Sequence, residues 1–321
     1  MLLESLAPIL KNKSILITGG SGFFGKSLCE ALDQLNKNLE LGMIIYALGR
    51  KVFEHEGIKF IQHDVTQPLN FDLKINFIIH AANPVGSDDT AFDKNIDIIV
   101  NGTNNVLNFA EKMKADKVLL VSSGAIYGEQ PETVAYITED FSIVENFFDF
   151  NSAYKTGKRI SELLAIDWCN RTGRHLTVAR CFAFSGKFLP VDSHLAVGNF
   201  IGDALRQKLI NVKGDGSAVR SYMDADDLVN WLMTILLKGS KGEFYNVGSD
   251  TEVTIKELAG LVAQAVPGTE VKIQNTQSFN GKRSRYVPSI EKAKKSLHLK
   301  ISVDLNQSIQ KMLEFNKGII R

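Results

Sequence analysis

Tyr154 and Lys158 stand four residues apart in SAYKTGKRISE, a stretch with helical patterning. That spacing puts both side chains on one helix face. An ammonium there favours the phenolate and draws the phenol from its usual value of ~10 toward the working pH, as a proton-shuttling tyrosine requires. Ser123 closes the apolar run KVLLVSS further up the chain and can hydrogen-bond the same substrate oxygen. Alone, a Tyr and a Lys at this spacing also describe an ordinary solvated helix face, so the meaning of the pair depends on what accompanies it.

A second group of residues suits phosphate. Thr18, Gly19, Gly20, Ser21, Gly22, Phe23, Phe24 and Gly25 follow one β-branched run and open a helical one. Glycines there permit a tight turn and close approach of backbone to a pyrophosphate, whose charge is stabilised by free N–H groups at the helix N-terminus. The strand before and the helix after supply the context that such a pattern needs, and a dinucleotide site is expected. Strand two ends in Leu48-Gly49-Arg50-Lys51, where an NAD-selective site usually places an acidic residue for the ribose hydroxyls. Arg50 instead fits a 2′-phosphate, with room left by Gly49, so NADP is expected. NAD is the alternative if Arg50 is only part of a solvated turn. Asp64, with Val65 after it, follows strand three as a candidate acceptor for the adenine amine. His80, Ala81 and Ala82 end strand four with small residues beside which a cofactor can lie, His80 being either a direct contact or a packed strand-end histidine. Ser122 joins this cofactor-facing set at the end of strand five.

These residues must be positioned by regular elements, and the apolar runs say which. Strands are expected at Ser14 to Thr18, Met43 to Leu48, Lys59 to Gln62, Asn76 to His80, Lys117 to Ser122 and Leu176 to Arg180. Helices are expected at Phe24 to Leu35, Asn95 to Met113 and Ala153 to Arg171. Alternation of buried-looking strands with helices predicts an α/β fold, a doubly wound parallel (Rossmann) sheet covered on both faces. Beyond Ala183-Phe184 the pattern loosens: GKFLPVDSH reads as a loop, GNFIGDALRQ as a helix and KGDGSAVRSY as a turn-rich polar segment. The expected organisation is a dinucleotide-binding domain over 1–184 and a smaller C-terminal substrate-binding lobe over 185–321. The boundary is expected to be discontinuous, the run Tyr245 to Gly248 returning to the main sheet.

Composition agrees with an enzyme of this kind. The chain has 321 residues, 44% hydrophobic and 23% charged, enough for one large domain with a satellite. A net charge of +1 gives no global field for nucleic acid or an anionic membrane, so phosphate must be held locally. Cys29, Cys169 and Cys181 form neither a disulfide framework nor a metal-ligand cluster and read as reduced core thiols of a cytoplasmic protein. The first ten residues lack a basic region and a cleavage site, no run approaches the ~20 apolar residues of a membrane span, and no metal is expected.

Taken together, the glycine-rich turn, the strand-five serine and the YxxxK helix resemble the extended short-chain dehydrogenase/reductase family, which includes the nucleotide-sugar epimerases and dehydratases. The likeness runs through TGGSGFFG, HAANP, NGTNNVL, VSSGAIYG, SAYKTGKRISE, ARCFAF, KGDGSAVRSYMDADDL, FYNVGS and SRYVPSIEKAKKSL, in the family's order. It implies Ser123, Tyr154 and Lys158 as the catalytic trio, Lys158 also holding the nicotinamide ribose. It implies a nucleotide-sugar substrate whose diphosphate meets Arg220 and Arg285, with Asn199 touching sugar or nucleotide. A homodimer and a place in polysaccharide-precursor synthesis follow from the same likeness.

Two departures narrow the chemistry. Sugar-nucleotide 4,6-dehydratases carry an Asp-Glu pair after the catalytic Ser/Thr, and decarboxylating relatives carry a Glu at the second of these positions; this chain has Gly124-Ala125. Neither residue can move a proton, which disfavours both activities. Ala183 stands where many members have a substrate-touching asparagine. The remaining chemistry is NADPH-dependent reduction of a 4-keto sugar nucleotide, which Arg50 favours, or 4-epimerisation with bound NAD. A cofactor-binding scaffold or sensor without catalysis is the alternative from a different class.

Overall fold

The computed structural model describes residues 3–83, 92–141, 153–193, 195–206, 208–274 and 284–319. Pro84, Ser152, His194 and Gln207, which belong to motifs quoted above, lie outside the described residues. Six strands lead the main sheet: β1 (Ser14–Thr18), β2 (Ile44–Gly49), β3 (Ile58–Gln62), β4 (Phe77–His80), β5 (Lys117–Ser123) and β6 (His175–Cys181). A seventh, Phe244–Val247, pairs with β6, and the order across the sheet is Phe244–Val247, β6, β5, β4, β1, β2, β3. All six pairings are parallel. The chain moves outward from β1 through β2 to β3 and then crosses back to β4, so the strand order reverses between β1 and β4. In sheets of this type ligands bind outside the strand carboxyl ends at that switch point.

Alternate residues of each strand serve opposite faces. Ile15 and Ile17 join the core with Leu28, Leu32 and Trp231, whereas Leu16 joins the opposite core with Val106, Leu107 and Trp168. In β5, Leu119 and Val121 face the first core and Val118 and Leu120 the second. Both faces are covered, so the strands read as continuous apolar runs rather than alternating ones. A separate core, including Phe200, Ile201, Leu258 and Met312, holds helices Ala196–Arg206, Ile255–Ala265 and Leu305–Lys317 together.

Each expected strand is present, with ends moved by one residue at most. The helix expected from Asn95 to Met113 is instead three pieces: Phe92–Ile96, a π-helical turn Asp97–Asn101, and Gly102–Lys112. Thr103 Oγ1 donates to Ile99 O at 2.6 Å, a side-chain bond that competes with the helical ladder. Such turns cluster at functional sites, and Ile98 lines the main cavity. The polar segment KGDGSAVRSY contains a strand, Val219–Ser221, which pairs antiparallel with Glu252–Thr254 and parallel with Arg285–Tyr286. Its partners are remote in sequence, which is why local polarity suggested only turns. Among the described residues no helix is long and apolar enough to cross a membrane, and the three cysteines are free and buried.

Trp231 is fully buried and its indole N–H donates to Lys300 O at 3.1 Å. Trp231→Ala is expected to lower unfolding free energy by about 3–5 kcal/mol, read from the urea midpoint.

Candidate active site

Gly19, at the end of β1, has φ +72°, and a Cβ there would meet Ala81 O at 2.7 Å; a Cβ on Gly25 would meet Gly20 Cα at 2.5 Å. The turn thus needs glycine for both its backbone conformation and its packing against β4 and the following helix. Gly22 is the N-cap of helix Phe23–Asn38 and has no side chain to cap it, which leaves the first N–H groups of the helix open to a phosphate. Gly19, Ser21, Gly22, Phe23 and Phe24 line one cavity of 1710 Å³ together with Arg50, Asp64, Val65, Ala81 and Ala82. The residues present therefore fit a dinucleotide. Asp64 holds its own loop by accepting from Thr66 N at 3.0 Å.

His80 takes the packed role. Thr103 has given its proton to Ile99 O, so its oxygen can only accept from His80 Nε2, at 3.2 Å. That leaves His80 Nδ1 as acceptor from Thr18 Oγ1 at 2.7 Å, while Thr18 Oγ1 accepts from Ala82 N at 3.2 Å. Both residues are buried, and the chain of bonds fixes the Ala81–Ala82 backbone beside the cavity. Burial, followed by the charge of Lys158, lowers His80 to about 3, which keeps it neutral.

The trio assembles where the end of β5 meets helix Ala153–Thr172. Ser123 caps the short turn Gly124–Tyr127, its Oγ accepting from Ala125 N at 3.1 Å. The Tyr154 phenol interacts with that same serine hydroxyl. Lys158 is buried, its Nζ donating to Val121 O at 2.8 Å and standing 6.0 Å from the Tyr154 ring centroid. Burial lowers the Lys158 ammonium to about 8, against the opposing pull of Cys181 and Glu162. The expectation that this cation draws the phenol downward is corrected: burial dominates and Tyr154 lies above the usual phenol value, with the Ser123 hydroxyl acting in the other direction. At neutral pH the phenol stays protonated.

Behind the trio lies a buried polar network. Ser122 Oγ donates to Glu162 Oε1 at 2.5 Å, and Arg180 Nη2 pairs with Glu162 Oε2 at 2.8 Å. Arg180 Nη1 also donates to Tyr127 Oη at 2.9 Å, and Tyr127 Oη donates to Asn246 Oδ1 at 2.8 Å. The Ser122 hydroxyl is thereby committed to this network rather than to the cofactor cavity. Glu162 follows Lys158 by one helical turn and was readable as a partner on that face; Arg180 and Asn246 had no such local signal. Asn83 was also missed: its Oδ1 is buried without a hydrogen-bond partner among the described residues, and it lines the cavity.

Asn199 and Lys213 also line the cavity. Arg220 and Arg285 are brought close on paired strands but are not among its described lining residues. Arg220 donates to Ser284 O at 3.1 Å and to Ser284 Oγ at 3.1 Å; Arg285 donates to Ala135 O at 3.0 Å and pairs with Glu252. Ala183 offers only its backbone, accepting from Met223 N at 3.1 Å. Among the described residues no cluster of metal-ligating side chains is present.

A doubly wound sheet that opens its switch point onto a glycine turn, with a buried serine and lysine and a half-buried tyrosine at the adjoining strand end, defines the extended short-chain dehydrogenase/reductase class. The profile of the NAD dependent epimerase/dehydratase family matches residues 15–248, and the chain belongs to that family. It is 32% identical over 315 residues to UDP-glucuronic acid decarboxylase 6 of Arabidopsis thaliana, covering 94% of this chain and 88% of that protein. It is 30% identical over 309 residues to UDP-glucuronic acid decarboxylase 1 of Danio rerio, covering 94% and 72%. Among solved structures it is similar to UDP-glucose 4-epimerase of Thermotoga maritima with UDP-glucose, at TM-score 0.82 and 20% identity over 96% of this chain and 100% of that one. WbmF of Bordetella bronchiseptica, in complex with NAD+ and UDP, gives TM-score 0.79 and 19% identity over 97% and 93%. At such identities the structural likeness is one of fold.

A histidine lowered on folding binds more protons unfolded than folded, so stability falls as pH drops from 6.5 toward about 3. His80→Gln is expected to flatten that part of the stability-versus-pH curve, measured by urea unfolding at stepwise pH.

Proposed function

We propose that this chain reduces a 4-keto sugar nucleotide with NADPH. The observation that carries the reading is the pairing of an intact Ser123–Tyr154–Lys158 set with Gly124-Ala125, which provides a proton donor in Tyr154 and no acid or base at positions 124 and 125. The decarboxylase relatives match along 94% of this chain, but a carboxylate at position 125 is missing here. Reduction asks for a protonated phenol, and burial holds Tyr154 in that state.

A nicotinamide held in the glycine-turn cavity would supply hydride chemistry to a ring carbonyl carbon. Tyr154 gives its proton to the alkoxide oxygen as charge develops there, and Ser123 hydrogen-bonds the same oxygen. Lys158 holds the nicotinamide ribose and keeps a positive charge beside the phenolate that remains. Arg50, with Ser21 and Lys51, borders the adenine-ribose end of the cavity and supports a 2′-phosphate; Gly49 keeps the approach open, since a Cβ there would lie 3.3 Å from Ser21 Oγ. Asp64 and Val65 flank the adenine. Arg220 and Arg285 serve the substrate diphosphate, Arg285 exchanging Glu252 for phosphate, and Asn199 contacts the nucleotide or sugar. The active form is a cytoplasmic homodimer, and its product feeds polysaccharide synthesis.

Tyr154→Phe removes only the hydroxyl. Turnover of a 4-keto sugar nucleotide is expected to fall by about 10²–10⁴-fold, while NADPH affinity measured by fluorescence stays within a factor of two or so. Unchanged turnover would show that Tyr154 is not the proton donor, whereas NADPH binding without turnover in the parent protein would point to a scaffold or sensor.

A further inference from the structure

The space that a side chain at position 124 would fill is occupied by a second phenol. A Cβ on Gly124 would meet Tyr286 Oη at 2.7 Å and the Phe182 ring at 2.7 Å. Tyr286 lies against Phe182, with ring centroids 4.6 Å apart and an interplanar angle of 31°. It sits on strand Arg285–Tyr286, which adjoins the loop after β5: Val287 N donates to Gln130 Oε1 at 2.9 Å, and Pro288 bridges to Ile137. That attachment carries the phenol from the C-terminal part of the chain into the reaction centre. Its hydroxyl, like that of Tyr154, lies close enough to Ser123 to interact with it electrostatically.

Counting protons gives these contacts a direction. A serine hydroxyl has one proton and two acceptor sites. One site of Ser123 Oγ is taken by Ala125 N–H. If Tyr286 donates to the second, the single proton of Ser123 is the only thing left to offer toward Tyr154. Burial pushes the Tyr286 phenol far up, and it therefore keeps the proton it donates.

We infer that Tyr286 is a positioning residue: its O–H donates to Ser123 and fixes the serine as a hydrogen-bond donor toward Tyr154 and the substrate oxygen beside it. The inference rests on the reading of Ser123 and Tyr154 as the reaction centre. No proton leaves Tyr286. It polarises the Ser123 hydroxyl, which then stabilises either the phenolate that Tyr154 becomes after donating or the oxygen that receives the proton. A glycine at 124 is required because any larger residue displaces the Tyr286 hydroxyl.

The test does not depend on turnover. A fluorinated tyrosine placed at position 154 alone, with a phenol acidic enough to titrate in the folded range, is followed by fluorine NMR against pH in the NADPH-loaded protein. Tyr286→Phe keeps the ring on Phe182 and removes only the donor. It is expected to raise the midpoint at position 154 by about one pH unit, a roughly tenfold loss of phenolate at fixed pH. Gly124→Ala, which claims the space of the Tyr286 oxygen, is expected to move the midpoint the same way. An unmoved midpoint in Tyr286→Phe overturns the inference, whatever its activity. Failure of the catalytic reading is a separate result, seen as unchanged turnover in Tyr154→Phe.

Discussion

The ion pair between Glu162 and Arg180 is the constraint on which the site depends. It lies between helix Ala153–Thr172 and β6, with side chains only 8% and 12% exposed. Two charges so placed forfeit hydration, and they are tolerated only when their remaining donors and acceptors are met. Here Ser122 donates to Glu162, and Arg180 donates to Tyr127 and to Glu139 O. Asn246 extends the network, its Nδ2 donating to Ile137 O at 2.9 Å and to Ser289 O at 3.1 Å. One continuous set of bonds thus links the helix that carries Tyr154 and Lys158, the end of β5 that carries Ser123, and the segment just beyond Tyr286. Loss of either charge leaves the other buried alone, a cost of about 3–5 kcal/mol concentrated at the reaction centre.

Within that frame few groups surround Ser123. Position 124 has no side chain and position 125 has a methyl group, and the volume beside them is filled by Phe182 and Tyr286 rather than by carboxylates. A site so built can place one proton accurately. It has no second acid or base at these positions to eliminate water across two ring carbons. The same enclosure raises Tyr154 and lowers Lys158, since burial disfavours the charged form of each. The family resemblance fixes the type of site, and its departures fix what the site lacks.

Much of this was legible in the chain. Apolar runs such as SILIT and KVLLVSS marked strands because both faces of the sheet are buried, and a glycine turn between strand and helix has few other meanings. The four-residue spacing of Tyr154 and Lys158 placed them on one face. What escaped was what depends on distant partners. Arg180 reads as the end of a strand until Glu162 is set beside it, Tyr286 lies far from Ser123 in sequence, and Val219–Ser221 becomes a strand only through Glu252–Thr254 and Arg285–Tyr286. The direction of the Tyr154 shift also escaped, because the spacing of a cation is local whereas burial is a property of the whole fold.

The most direct test is the cofactor balance with purified protein, a panel of nucleotide sugars and their 4-keto forms, and added NADPH. Absorbance and product analysis are followed together. The account predicts one NADPH consumed for each 4-keto sugar reduced and no turnover of the parent sugars. Interconversion of parent sugars with no net change in cofactor would contradict it, identify an epimerase, and leave Arg50 as a residue of the surface.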